Sequence, residues 1–294
     1  MNKVKIIVDS ACNIDLEIAK KYNIDVISYI IRFGEESFVD LYQISPKKFF
    51  KKYKTSDQRV TSSIPSMSKF IEILENSYKE GYREIICFSL SKKLSGMYQM
   101  MKLSSDMFME KFSDSKIKII DTDTGTLACF YPCIEAAKMA EKGVGFERII
   151  EKSMENLKKA NTQGLVRNFD ALIKGGRLPK PIGKLANLVS FSPILSLDQG
   201  EIKIVKKVTG KKKSYKEFVK YLKKTIGAYD NYYLAIAGAD CEKDLDKLQK
   251  DLDFEIKQAK KFDRLEITSV IGVHLGCGVI MASLFPLDWK LIFD

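Results

Sequence analysis

Val4-Lys5-Ile6-Ile7-Val8, closed by Asp9-Ser10, is a short β-branched run that ends on an acid and a hydroxyl. The same design returns at Glu84-Ile85-Ile86-Cys87-Phe88 before Ser89-Leu90-Ser91, and at Ile117-Lys118-Ile119-Ile120 before Asp121-Thr122. Helical patterns fill the gaps. One has Ser66 as its N-cap and Phe70, Ile73, Leu74 and Tyr78 on one stripe; a second runs from about Ser95 through Phe112. Strands alternating with helices predict a parallel, helix-covered sheet. In such sheets ligands sit beyond the carboxyl ends of the strands. Those ends carry Asp9, Ser10, Ser89, Ser91, Asp121 and Thr122.

Working outward, Val26 to Asp40 reads as a hairpin inserted in this first unit, with its turn at Gly34-Glu35-Glu36. The rhythm changes after about residue 160. Gly175-Gly176, Pro179 and Pro181 punctuate a loop, and Ile194 to Val205 reads as a hairpin turning at Asp198-Gln199-Gly200-Glu201. Helices are expected at about Tyr215–Ile226 and Lys243–Phe262, and strands at Tyr232–Ala237, Glu266–Val273 and Val279–Phe285. The expectation is therefore two domains: residues 1–160, mostly parallel α/β, and residues 161–294, α+β.

Composition narrows the function. With 294 residues, 45% of them hydrophobic, the chain is long enough for a sizeable core and is not disordered. No apolar run approaches the roughly 20 residues that span a bilayer. The first residues leave no room for a signal sequence, so a cytoplasmic protein with at most transient membrane-surface contact is expected. The net charge is +11, but only seven of the 49 basic residues are arginine. Nucleic-acid readers lean on arginine forks, so a surplus made of lysine reads as solvated surface and no nucleic-acid partner is expected. The densest run, Lys206-Lys207 and Lys211-Lys212-Lys213, is a patch suited to an acidic partner. None of the six cysteines forms CxxC, and with a single histidine no zinc spacing can be assembled. Cys129 and Cys133, four apart, read as small buried apolar groups.

Nucleophile elbows, dinucleotide fingerprints and P-loops are absent, and the four SxxK matches are chance in so lysine-rich a chain. Three other clusters stand out. Thr61-Ser62-Ser63-Ile64-Pro65-Ser66 has more hydroxyls than one helix cap needs. Ser95-Gly96-Met97-Tyr98 sets a hydroxyl at a helix start, where free N–H groups suit a carboxylate or phosphate. Gly272-Val273-His274-Leu275-Gly276-Cys277-Gly278 places the sole imidazole among glycines, at what reads as a strand end.

Order and spacing of these pieces resemble the DegV family of bacterial fatty-acid-binding proteins, nearly end to end. Asp9-Ser10 with Asp15 resembles the family's opening loop, Ser62-Ser63-Ile64-Pro65-Ser66 its T-S-Q-P-S, and Ser95-Gly96-Met97-Tyr98-Gln99 its S-G-T-Y-Q. Asp121-Thr122, Lys174-Gly175-Gly176-Arg177-Leu178, Pro193-Ile194-Leu195 and Val273-His274-Leu275-Gly276-Cys277-Gly278 match further family segments in order. The resemblance implies a two-domain α/β fold enclosing one long-chain fatty acid, such as palmitate, between the domains. It implies a carboxylate held by Ser62 and Ser95 with His274 nearby, Gly96 and Thr61 beside them, and no metal or other cofactor. It also implies a non-catalytic carrier that hands the acid to a separate fatty acid kinase, with Arg177, Lys211 and Lys212 as candidate phosphate or partner contacts. The physics agrees. A carboxylate in an apolar tunnel must be hydrogen-bonded, and tail burial supplies affinity at about 0.8 kcal/mol per methylene before ordering costs.

Departures from the family pattern carry expectations too. Ser62 stands for threonine, with Thr61 a competitor for its role; Ile64 stands for glutamine and Met97 for threonine. Bulky residues over Thr126-Leu127-Ala128-Cys129-Phe130, where the family has small glycines, point to a reshaped or shortened tail pocket. Thr209-Gly210-Lys211-Lys212 replaces an arginine-rich, kinase-facing segment. For Arg177 the bland alternative is an interdomain salt bridge. The rival function is a serine hydrolase or acyltransferase using Ser95 and His274.

Overall fold

The computed structural model describes residues 3–167, 169–177 and 192–287. Four parallel strands, β1 (Val4–Asp9), β2 (Ile24–Ile27), β6 (Glu84–Ser89) and β7 (Lys116–Asp121), form the first sheet in the order β2-β1-β6-β7. All six residues of β1 are buried, as a strand covered on both faces requires. Helices α3 (Met67–Lys79) and α4 (Met97–Lys111) pack together against β2 and β7; α5 (Leu127–Glu141) and α6 (Phe146–Lys159) pack together against β1, β6 and β7. Short α1 (Leu16–Lys21) leads into β2. The stripe predicted for α3 holds, with Phe70 and Leu74 fully buried.

The expected hairpin is part of a three-stranded antiparallel sheet. Its central strand β3 (Ile30–Phe33) lies between β4 (Glu36–Val39) and β5 (Val60–Ser63). Val26 and Ile27 belong instead to β2 in the parallel sheet. The hydroxyl cluster at 61–63 is strand rather than helix cap, with Ser62 opposite Ile31. Helix α2 (Pro46–Thr55) joins β4 to β5.

A six-stranded mixed sheet holds the rest, in the order β10-β9-β8-β13-β11-β12. Its strands are β8 (Asn161–Leu165), β9 (Ile194–Asp198), β10 (Glu201–Lys206), β11 (Tyr232–Gly238), β12 (Lys261–Glu266) and β13 (Ile280–Pro286). Helix α7 (Phe169–Lys174) ends at Gly175-Gly176, and α8 (Lys211–Ile226) and α9 (Glu242–Asp251) follow later in the chain. Pro179, Pro181 and Leu178 lie outside the described residues. The helix expected to reach Phe262 breaks at Leu252. A short α10 (Asp253–Gln258) follows, and Phe262 joins β12 opposite Leu234.

The main correction concerns Glu266–Val273. Only Glu266 is strand; Ser269–Leu275 is a helix, α11. Val270, Ile271, Val273 and Leu275 are all buried, so the stretch shows no polar face by which periodicity separates helix from strand. A carboxylate remote in sequence caps this helix: Val270 N–H donates to Asp40 at 3.2 Å. Gly272 is required here, because a Cβ would stand 2.7 Å from both Phe49 and Phe50 of α2.

Candidate functional site

Three short hydrogen-bonded links bring the predicted residues together. Ser10 Oγ donates to Asp40 at 3.0 Å and accepts from Tyr29 N–H at 3.3 Å. Asp40 therefore ties the β2–β3 connection to the N-terminus of α11, and α11 carries His274 in its last turn. There His274 Nε2 lies 2.9 Å from Ser62 Oγ, at the end of β5. Ser95, between β6 and α4, accepts from Tyr29 O–H at 2.8 Å and from Met97 N–H at 3.2 Å. Both lone pairs of Ser95 are thus used, and its own proton is left for an outside acceptor. With His274 protonated on Nε2, Ser62 accepts one bond from it and likewise keeps its own proton for an outside acceptor.

Electrostatics favour an anion at this end. Burial, followed by the Arg177 guanidinium, pushes the His274 pKa down from 6.5 to about 4; the neighbouring Gly175 backbone works the other way. The imidazole is therefore neutral at neutral pH, and its Nδ1 is buried without a hydrogen-bond partner among the described residues. Burial also raises the Tyr29 phenol well above 10, which keeps it a donor to Ser95. Arg177 donates to the Leu94 carbonyl at 3.3 Å and the Gly175 carbonyl at 2.7 Å. It joins loops of the two halves through backbone carbonyls; among the described residues no ion pair of Arg177 stands for the interdomain salt bridge considered above. The fifteen-residue α4, with no acid in its first turn, directs its positive end beside Ser95.

These groups border one end of a single cavity. Ser62, Ser95, Tyr29, His274 and Arg177 all line it. The remaining wall is mostly apolar. Thr162 and Gly164 of β8, with Val166 just beyond its end, line it, as do Met281 of β13 and Val279 just before that strand, each set alternating as one face must. Leu195, Leu197 and Ile202 of the β9–β10 hairpin complete that wall. The hairpin tip is fastened to the first half, where Ser91 Oγ donates to the Gly200 carbonyl at 3.0 Å and Lys93 Nζ to the Gln199 carbonyl at 2.9 Å. Beneath the cavity, buried Asp9 accepts from Leu90 N–H at 2.7 Å and Ala11 N–H at 2.9 Å; desolvation still lifts its pKa to about 6.

The remaining predicted residues fall elsewhere. Thr61 lines a second cleft that shares Ser62, His274 and Arg177 with the cavity and adds Arg59, Lys174 and Asp57. Gly96 caps α4 but does not line the cavity among the described residues. Lys211 and Lys212 are exposed in the first turn of α8 and are not among its lining residues either. Of the bulky stretch after Asp121-Thr122, only Thr126 reaches the cavity, with φ of +54°; Leu127 to Phe130 are buried in α5. That stretch therefore contributes one side chain to the cavity wall. The pairing Ser95–His274 is also corrected: His274 meets Ser62, and Ser95 meets Tyr29. Tyr29 was missed because it sits inside an apolar run. Among the described residues no helix is long and apolar enough to cross a membrane, and no group of three or more His, Cys, Asp or Glu could hold a metal ion.

A family profile described as an uncharacterised protein of the DegV family matches residues 3–286. A DegV domain-containing protein of Clostridium perfringens is 30% identical over 277 residues, covering 93% of this chain and 95% of its own. A DegV lipid-binding protein of Thermotoga maritima superposes with a TM-score of 0.83 at 27% identity, covering 98% of this chain and all of its own. A second Thermotoga maritima protein, whose structure is described as revealing fatty acid binding function, gives 0.82 at 26% identity over the same shares.

Proposed function

Because the chain belongs to the DegV family, we propose that it binds one long-chain fatty acid, such as palmitate, in the cavity between two domains, residues 1–160 and 161–294. The carboxylate sits at Ser62 and Ser95 with His274 beside it, and the tail lies along the β8–β13 face. The observation that carries this reading is the polarity of a single cavity: hydroxyl donors, a neutral imidazole and a guanidinium at one end, hydrocarbon over most of the rest. A free carboxylate buried in such a place needs those donors. Ser62 is the hydroxyl in position, since Thr61 alternates away from the cavity on β5.

The protein then acts as a cytoplasmic carrier in lipid metabolism rather than as a catalyst, presenting its acid to a separate fatty acid kinase. The cleft with Arg59, Lys174 and Arg177 supports that role, because it meets the carboxylate end and is rich in cations. Native mass spectrometry and lipid extraction of the purified chain test the reading. One acid per chain is expected. Empty protein that takes up no long-chain acid overturns it.

One observation favours a second reading, hydrolysis by a Ser62–His274 pair 2.9 Å apart. Against it, an imidazole of pKa about 4 is a weak general base, and among the described residues no carboxylate is hydrogen-bonded to its Nδ1. An acyl adduct on Ser62 after incubation with an acyl ester would establish hydrolysis; absence of both adduct and turnover would dismiss it.

A further inference from the structure

Gly164 is a glycine without a local reason. It lies inside β8, a strand paired on both sides, by β9 and β13. Glycine in a strand interior costs conformational entropy and contributes no packing, and it often marks close approach of a ligand. Its backbone is not among the positive-φ positions, so any residue could adopt it. Nor does packing forbid a side chain. A Cβ would rest 3.4 Å from Met281 Cγ and 3.7 Å from Met281 Cε, which is ordinary van der Waals contact. Gly272 differs on this point, since its Cβ would collide with two aromatic rings.

Position supplies the reason that conformation and packing do not. Thr162, Gly164 and Val166 all line the cavity, so a side chain at 164 would project into it. Across the sheet Gly164 faces Met281, and both line the cavity. The pair lies on the way out from the polar end. β13 starts just after the Gly276-Cys277-Gly278 loop that follows His274, and runs from there past Met281. Two residues further along each strand, about 7 Å deeper, Thr162 Oγ1 donates to Ser283 Oγ at 2.7 Å. Thr162 and Ser283 are buried and bonded to each other, and of the two Thr162 lines the cavity, with its hydroxyl already engaged.

We propose that the Gly164–Met281 pair sets the length of acyl chain the protein accepts: the missing side chain at 164 leaves the passage over β8 open, Met281 narrows it, and Thr162, held by Ser283, ends it. The assignment rests on the fatty-acid reading above. Met281 is suited to this place because its unbranched thioether adapts to hydrocarbon of different shapes. Filling position 164 displaces the terminal methylenes, each worth about fourfold in affinity.

Affinities of the full chain for saturated acids from dodecanoate to icosanoate, measured by displacement of a fluorescent fatty acid, test this. In Gly164→Leu the longest acid held by the wild type should lose on the order of 10- to 100-fold, while the shortest is unchanged. Gly164→Ala should move the preference the same way by a smaller step, and Met281→Ala the opposite way, toward longer acids. The smaller variants and a thermal melt of each guard against misfolding. Identical chain-length profiles in the wild type, Gly164→Ala and Met281→Ala overturn the proposal. A wild type that binds none of the acids overturns the fatty-acid reading itself, and the two failures are thereby told apart.

Discussion

The two ends of the cavity are built by opposite means. At the polar end each group comes from a different short element: Tyr29 from a two-residue connection, Ser62 from a strand end, Ser95 from a loop, His274 from the last turn of a seven-residue helix. They are held by hydrogen bonds and by tight packing of α11 on Phe49 and Phe50. At the apolar end the wall is largely one continuous sheet face, where alternation alone decides which residues line the cavity. The polar end therefore depends on the placement of α11, whereas a Cβ at Gly164 on the apolar wall meets only ordinary contacts.

The largest effect should come from breaking that contrast with the two glycines. Gly272→Val drives a side chain into Phe49 and Phe50 and should cost about 3 kcal/mol, the upper range for overpacking. Gly164→Ala should leave stability unchanged or raise it by about 0.4–1 kcal/mol through the unfolded chain. Urea unfolding of the empty proteins measures both. Equal losses would show the tail wall to be as tightly constrained as the polar end.

Next comes the loss of a carboxylate donor. Ser95→Ala removes the proton left free by the Tyr29 and Met97 bonds, and an under-paired buried carboxylate should weaken acid binding by about 2 kcal/mol. The melting point of the empty protein should barely move. Unchanged affinity would place the carboxylate elsewhere.

The histidine gives a smaller but cleaner signal, since it is the only one in the chain. Its folded pKa, about 4, lies below the ordinary 6.5. The unfolded chain therefore takes up this proton first, and the contribution of His274 to stability is lost as pH falls from 6.5 through 4. Asp9 and Asp40 act with the opposite sign: burial lifts each to about 6, so their penalty grows as pH rises through that value. A bulk melting curve mixes the two, whereas an NMR titration of the single imidazole does not. The empty protein should titrate near 4, and a bound carboxylate should carry the value back toward 6.5. A free-solution value in the empty protein would mean that the imidazole is not enclosed.

Legibility in the sequence followed the same division. The parallel sheet was readable because Val4–Val8, Glu84–Phe88 and Ile117–Ile120 are separated by helices with a visible apolar stripe. Ser95 was readable from a hydroxyl and glycine at a helix start, and His274 from its scarcity and its glycine neighbours. The element under His274 was misread because Val270, Ile271, Val273 and Leu275 are buried on every side and its cap, Asp40, is 230 residues away. The tail wall was not readable at all. Thr162, Gly164 and Met281 have ordinary strand sequences around them, and only the register of β8 against β13 brings them together.

Tyr29 offers the finest separation of the two ends. Its ring is buried in the core and its hydroxyl meets Ser95 at 2.8 Å. Tyr29→Phe keeps the ring and removes the bond that fixes the Ser95 hydroxyl. Ser95 would still accept from Met97 N–H, so its proton gains rotational freedom without losing every restraint. The expected cost is about 0.5–1 kcal/mol in acid affinity, equal for long and short acids because the tail wall is untouched. Ser95→Ala combined with Tyr29→Phe should cost no more than Ser95→Ala alone, since the tyrosine acts through the serine. Additive losses would give the Tyr29 hydroxyl a contact of its own with the carboxylate, and a loss that grows with chain length would move Tyr29 to the tail side of the cavity.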